Sequence, residues 1–85
     1  EGKWRIMVIS YLFIATSRFG ELKRKIPEIS EKMLHQELRE LNALGIVHRE
    51  AYPEVPPRVE YSLTEKGKTL QPIIQALLQW GLKQL

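Results

Sequence analysis

The sequence predicts a mainly α-helical fold with one small β-hairpin. Three observations predict this fold class. Apolar residues recur at helical spacing through most of the chain, the period changes to two after Gly45, and a connection with three prolines separates the two alternating segments. The 85 residues are 44% hydrophobic, which is enough for one small domain over residues 1–85 and is untypical of a disordered chain.

The composition argues against several classes of function. The absence of cysteine removes disulfides, thiolate zinc sites and thiol nucleophiles. His35 and His48 have no spacing to carboxylates that specifies a catalytic or metal site, so we expect no enzyme, no metal and no cofactor. The net charge of +3 permits an anionic partner. No apolar run approaches the ~20 residues of a membrane span, so we expect a soluble cytoplasmic protein without a signal peptide.

The first two helices differ in character. The first is predicted over Lys3–Ile14 and is apolar around nearly its whole circumference, so it must be covered on several sides. The second is predicted to begin at Ser17, which would serve as its N-cap, and to extend to Ile26. Pro27 ends it, because the residue before a proline avoids the α-helical region.

The third helix has the clearest boundaries. Ser30 is the predicted N-cap, and Gly45 supplies a left-handed C-terminal stop. Leucines at helical spacing form its inward face: Leu34, Leu38 and Leu41. The opposite face carries nitrogen-rich side chains: Lys32, His35, Gln36 and Arg39. The two faces are therefore expected to have different roles.

The alternating segments predict a two-stranded hairpin whose strands lie on either side of a loop over residues 53–58. The prolines should make this loop stiff and extended, and we expect it to project Arg58 outward. Thr64 is the predicted cap of the last helix, which Pro72 and Gly81 should bend or loosen. That helix carries many apolar side chains: Leu70, Ile73, Ile74, Leu77, Leu78, Trp80, Leu82 and Leu85.

The order of three helices, hairpin and helix is what a winged helix-turn-helix requires. In that arrangement the third helix enters the major groove, and residues near its N-terminal half contact DNA. Glutamine can pair with adenine, arginine or lysine with guanine, and histidine with a base or a phosphate. The candidate DNA-binding residues on this helix are Ser30, Lys32, His35, Gln36 and Arg39. The alternative is a solvated face on which Glu31, Glu37 and Glu40 form i,i+4 pairs.

Two further candidates lie outside the third helix. An arginine on a preorganised loop suits a narrow minor groove or a phosphate, which favours Arg58. The cluster Lys23, Arg24 and Lys25 ends the second helix, and Arg24 is its candidate contact with the DNA backbone. Interaction with the negative end of that helix explains the cluster equally well for at least one of the three.

Six segments make the chain similar to the HxlR-type regulators of the MarR-like group. They are Gly2-Lys3-Trp4, Arg18-Phe19-Gly20-Glu21-Leu22, Ile29-Ser30-x-Lys32-Met33-Leu34, Leu38-Arg39-x-Leu41, Gly45-Ile46-Val47-x-Arg49 and Tyr52 to Thr64. The most specific is Val-Pro-Pro-Arg-Val-Glu-Tyr, residues 55–61. The resemblance implies homodimeric transcription regulators whose first and last helices pack across a two-fold axis and whose third helix and wing bind double-stranded DNA.

The chain also departs from the pattern of that family. Many members carry a cysteine just before the Gly-Lys-Trp motif that senses electrophiles or oxidants, whereas these 85 residues contain none. Thiol sensing is therefore not carried over. The first helix is also more apolar than in related sequences, which predicts a different dimer seam.

Two alternatives remain open. The first is a winged helix that binds only another protein, with Lys32 and Arg39 acting as solubilising residues. The second adds a small-molecule effector between the terminal helices, where aromatic side chains are available: Trp4, Tyr11, Phe13, Phe19 and Trp80. Core and dimer packing is favoured for these aromatics, because it uses their large area without a ligand.

Overall fold

The computed structural model describes the backbone of residues 2–84 and the side chains of residues 2–81. Its elements are α1 (Gly2–Ile14), α2 (Phe19–Lys25), α3 (Glu31–Ala43), β1 (Val47–Tyr52), β2 (Arg58–Leu63), α4 (Glu65–Lys68) and α5 (Gln71–Gln84). The mainly α-helical fold with a small hairpin is confirmed, with the one-turn helix α4 as an addition. Leu85 and the side chain of Leu82 lie outside the described residues.

The start of α2 differs from the prediction. Ser17 is not its N-cap, because Ser17 exchanges two backbone hydrogen bonds with Tyr61 of β2, at 2.9 and 2.8 Å. Arg18 takes the cap position, and its N–H donates to the Glu21 carboxylate at 2.7 Å. The helix ends at Lys25, so the stop predicted from Pro27 is confirmed. The bridge from Ser17 fastens the hairpin to the start of α2.

Helix α3 follows the sequence prediction closely. The Met33 N–H donates to Ser30 Oγ at 3.0 Å, which confirms the N-cap. Gly45 adopts the left-handed conformation with a φ of 77°, which confirms the C-terminal stop. The inward leucines Leu34, Leu38 and Leu41 are buried. These contacts fix both ends of α3 and its rotation about its own axis.

The hairpin strands pair antiparallel, with Val47 opposite Leu63 and Tyr52 opposite Arg58. Arg58 is therefore the first residue of β2 and not the end of the loop. Val47, Tyr61 and Leu63 are buried against the helices. The hairpin is thus a wing attached along one side of α3.

The C-terminal helices correct two predictions. Thr64 caps α4, because its Oγ1 accepts from the Gly67 N–H at 3.0 Å. A Cβ on Gly67 would lie 2.3 Å from the Ile46 carbonyl oxygen, so only glycine allows α4 to pack there. Pro72 is the second residue of α5, where a missing N–H removes no intrahelical bond, and the helix continues through Gly81.

One core joins the elements. Its buried apolar side chains come from α1, α2, the α2–α3 turn, α3, both strands and α5: Val8, Ile9, Leu12, Leu22, Ile26, Ile29, Leu34, Leu38, Leu41, Val47, Tyr61, Leu63 and Ile74. Trp4, Tyr11, Phe13 and Phe19 pack against this core, whereas Trp80 is exposed. Within residues 2–84, no helix has the length and apolar character needed to cross a membrane.

Candidate nucleic-acid interface

The outward face of α3 presents Lys32, Gln36 and Arg39. Successive residues of a helix are rotated by about 100°, so these three lie opposite the buried Leu34 and Leu38. All three are exposed. In the part of the chain that the structure describes, neither Lys32 nor Arg39 is ion-paired with a carboxylate. Two uncompensated cations and an amide therefore stand on one face of α3.

Two other predicted residues lie at the edges of this face. His35 stacks on Phe19 of α2, with ring centroids 3.9 Å apart and an interplanar angle of 15°. The stack holds the imidazole in one orientation while the residue stays exposed. Ser30 is exposed at the helix N-terminus, where its Oγ accepts from Met33 and its hydroxyl hydrogen can still donate.

A basic groove between α3 and the hairpin adds a residue that sequence reasoning missed. Its lining includes Arg39 of α3 and Arg49 of β1, both exposed. Asn42 Nδ2 donates to the Val47 carbonyl at 2.8 Å and fastens the two walls together. The alternation of side chains along β1 could have identified Arg49, because it sets Arg49 on the same side of the strand as the buried Val47. That side faces α3.

The structure overturns the expected position of Arg58. Its Nη2 and Nε donate to Glu54 at 2.8 and 3.2 Å, and its Nη1 donates to Glu60 at 2.6 Å. The guanidinium carbon lies 3.8 Å from the centre of the Tyr52 ring. Arg58 therefore folds back over the hairpin and does not project from the loop. The fully exposed side chain at the tip is Val55.

The ion pair between Glu54 and Arg58 in the wing shifts the pKa of both groups. Hydrogen bonding to Arg58 lowers the pKa of Glu54, and the nearby charges of Arg58 and Arg18 lower that pKa further. Hydrogen bonds to Glu54 and then Glu60 raise the pKa of Arg58. Glu54 is therefore ionised at neutral pH, and Arg58 carries a positive charge that two neighbouring carboxylates already balance. Both carboxylates are visible in the sequence, within four residues of Arg58.

The basic cluster at the end of α2 divides into three separate environments. Lys23 Nζ donates at 3.0 Å to the carbonyl of Pro27, which belongs to the turn after α2, so the helix-end explanation stays a prediction. Lys25 Nζ lies 5.8 Å from the centre of the Tyr11 ring. Arg24 is exposed, and no hydrogen bond joins it to the α3 residues within the described chain. The structure does not bring Arg24 into the α3 surface.

The alternative prediction for the glutamates of α3 is wrong for Glu37. This residue is 6% exposed, and its Oε1 accepts from Arg5 Nε of α1 at 2.8 Å. Glu40 does form an i,i+4 contact, accepting from Gln36 at 3.2 Å. Glu37 therefore faces α1, whereas Glu40 bonds both Arg5 of α1 and Gln36 of the outward face.

The two ion pairs of the wing, which join Arg58 to Glu54 and to Glu60, suggest a separate test. Replacing Arg58 with alanine leaves the two carboxylates unpaired, so if the wing lies beside DNA we expect affinity for all sequences to fall by about fivefold at low salt. The triple variant Arg58→Ala, Glu54→Gln, Glu60→Gln should recover the lost affinity. Titrations of one labelled duplex measure both. A triple variant as weak as Arg58→Ala would instead indicate that Arg58 contacts phosphate directly.

Comparisons with known proteins agree over nearly the whole chain. The sequence model of the HxlR-like helix-turn-helix family matches residues 1–85. An uncharacterized HTH-type transcriptional regulator of Methanothermobacter thermautotrophicus is 54% identical over 80 residues, which are 94% of this chain and 61% of that protein. The HTH-type regulator YkvN of Bacillus subtilis is 55% identical over 80 residues, which are 94% of this chain and 68% of that protein. The chain thus spans 61% and 68% of the length of these two curated relatives.

Solved structures have the same fold. The redox regulator HypR in its reduced form superposes with a TM-score of 0.92 at 48% identity, covering 98% of this chain and 82% of that chain. The reduced form of the transcriptional regulator YodB from B. subtilis gives 0.82 at 43% identity, covering 91% and 76%. The winged arrangement of α3 and the hairpin is therefore shared with these regulators.

Proposed function

Because this chain belongs to the HxlR-like helix-turn-helix family, we propose that it is a transcription regulator that binds double-stranded DNA sequence-specifically as a homodimer. One observation carries the proposal. The outward face of α3 offers Lys32 and Arg39 without a carboxylate partner in the described chain, together with the amide of Gln36. These are the side-chain types that recognise guanine and adenine in the major groove.

Each candidate residue has a chemical role in this proposal. Lys32 and Gln36 contact base edges from the N-terminal half of α3, the part through which a recognition helix reads bases, and Arg39 contacts the next base edge from the following turn of the same face. His35 and Ser30 contact a base or a phosphate at the start of α3. Arg49 and Arg24 are the proposed backbone contacts. Arg49 replaces Arg58 as the free cation of the wing, because Glu54 and Glu60 already balance Arg58.

The proposal of a homodimer is supported by apolar side chains that are exposed to solvent in the single chain. Leu77 is 44% and Trp80 is 64% exposed on α5, and Ile73, Leu78 and the α1 residue Ile14 are also exposed. Apolar area of this kind on a small domain is stabilised by a second copy. Two recognition helices in such a dimer would meet half-sites about one helical turn, ~34 Å, apart or a multiple of it.

The second candidate is a protein-binding module without DNA binding. It is favoured by the tip of the wing, where Val55 is fully exposed and the neighbouring Glu54 is already paired with Arg58. An apolar tip without an unpaired cation is unsuited to phosphate. The α3 surface outweighs it, because its cations are free to meet an anion.

Selection of bound duplexes from a random pool at two salt concentrations tests the proposal. We expect a palindromic site with two half-sites. Each neutralised phosphate contributes about −0.9 to the slope of log affinity against log salt, so Arg24 and Arg49 from both subunits predict a slope of about −4. No enriched sequence together with a flat salt dependence would refute DNA binding and favour the protein-binding module.

HypR is described as a redox regulator. Thiol-based redox control does not extend to the 85 residues of this chain. The 85 residues contain no cysteine, so no thiol within them can form a disulfide or be oxidised.

A further inference from the structure

We propose that Arg5 of α1 is a positioning residue for base recognition, orienting the amide of Gln36 on the outward face of α3. The inference rests on the proposed function, because it assigns a role in reading DNA to a residue outside the DNA-binding surface. A chain of three hydrogen-bonded side chains, Arg5, Glu40 and Gln36, carries it.

The first link joins two helices that are far apart in sequence. Arg5 Nε donates to Glu37 Oε1 at 2.8 Å, and Glu37 is buried at 6% exposure. Arg5 Nη2 donates to Glu40 Oε1. Hydrogen bonding to Glu37, and then to Glu40, raises the pKa of Arg5. One planar guanidinium thus holds two successive turns of α3 against α1.

The second link sets the orientation of the amide. Gln36 Nε2 donates to Glu40 Oε2 at 3.2 Å, while Oε1 of the same carboxylate is occupied by Arg5. A carboxylate only accepts hydrogen bonds, so it selects the amide nitrogen and directs the amide oxygen away from Glu40. Gln36 keeps its second N–H and its oxygen, the donor and acceptor that match N7 and N6 of adenine.

Arg5 is needed because the hydrogen bond between Gln36 and Glu40 is weak on its own. An i,i+4 bond between an exposed glutamine and a half-exposed glutamate competes with water and with side-chain freedom. The guanidinium removes that freedom from Glu40, since it is itself anchored on the buried Glu37. Loss of Arg5 should therefore release Gln36 without moving the core leucines of α3.

The experiment compares base preference in a series of variants. The position read by Gln36 is first found as the base pair at which Gln36→Ala loses discrimination. At that pair we expect Arg5→Gln to lower the preference for adenine over the other bases by about tenfold, the worth of one well-oriented hydrogen bond. Lys3→Gln removes a neighbouring exposed cation of α1 and should leave the preference unchanged.

Two further variants separate positioning from folding. The double variant Arg5→Gln, Glu37→Gln leaves no unpaired buried charge and should show the same loss of preference as Arg5→Gln. In a Gln36→Ala background, Arg5→Gln should change the preference no further. Equal losses on all four bases, or an undiminished effect of Arg5→Gln without Gln36, would overturn the positioning role.

The outcomes distinguish the two proposals. A wild-type protein that enriches no sequence refutes DNA recognition itself. A wild-type protein that discriminates at the Gln36 position, with Arg5→Gln discriminating equally well, refutes only the role of Arg5.

Discussion

Replacing Leu77 with aspartate is expected to dissociate the proposed homodimer and to abolish tight binding to a two-half-site operator. Leu77 lies on α5 beside the exposed Ile73 and Trp80. An aspartate there would be buried against a second copy without a partner, at a cost of about 3 kcal/mol or more, which weakens dimerisation by more than about 100-fold. Each separated chain could then contact only one half-site.

Sedimentation at micromolar concentration measures the dissociation, and circular dichroism checks the fold. The fold should survive, because the leucine is 44% exposed in the single chain and Ile74 is the buried core residue among the α5 side chains that the structure describes. Gln79→Asp is the matched control, with the same charge on the opposite, polar face of α5. A Leu77→Asp protein that remains a dimer would show that the two-fold seam lies elsewhere. Trp80→Asp should behave as Leu77→Asp does.

The sequence predicts elements well where one residue determines local backbone geometry. Ser30 caps α3 and Gly45 ends it, since each acts on the nearest turn. Ser17 has the same capping chemistry as Ser30 but lies in a bridge to Tyr61, 44 positions along the chain. A pairing between distant residues leaves no local pattern, so the competition between cap and bridge is decided by tertiary structure.

In the candidate site, too, some side-chain environments follow from local sequence spacing and others depend on distant residues. The outward face of α3 follows from helical spacing, and Lys32, Gln36 and Arg39 are exposed as predicted. The environments of Arg58 and Glu37 do not follow from spacing. Arg58 turns back because the carboxylates of Glu54 and Glu60 both bond its guanidinium. Glu37 is buried because Arg5, on another helix, supplies its charge partner.

Arg39→Ala is expected to lower affinity for the selected operator by about 1–3 kcal/mol and to relax the preference at one base pair in each half-site. Arg39 is exposed and has no carboxylate partner in the described chain, so its removal should leave the free energy of unfolding almost unchanged. The loss would then report on DNA contact alone. Titration of the operator and of its single-base variants measures both effects.

Arg39→Lys separates base reading from simple charge. Lysine keeps the positive charge but lacks the planar pair of donors that meets O6 and N7 of guanine, so affinity for unrelated DNA should persist while discrimination falls. Lys68→Ala is the control, because Lys68 is an exposed cation of α4 whose neighbour is Glu65. A uniform loss on all sequences, with a salt slope shallower by about one unit per site, would instead assign Arg39 to a phosphate. In that case Lys32 and Gln36 alone would carry the base preference of α3, and Arg49 and Arg39 together would form a backbone clamp along the basic groove.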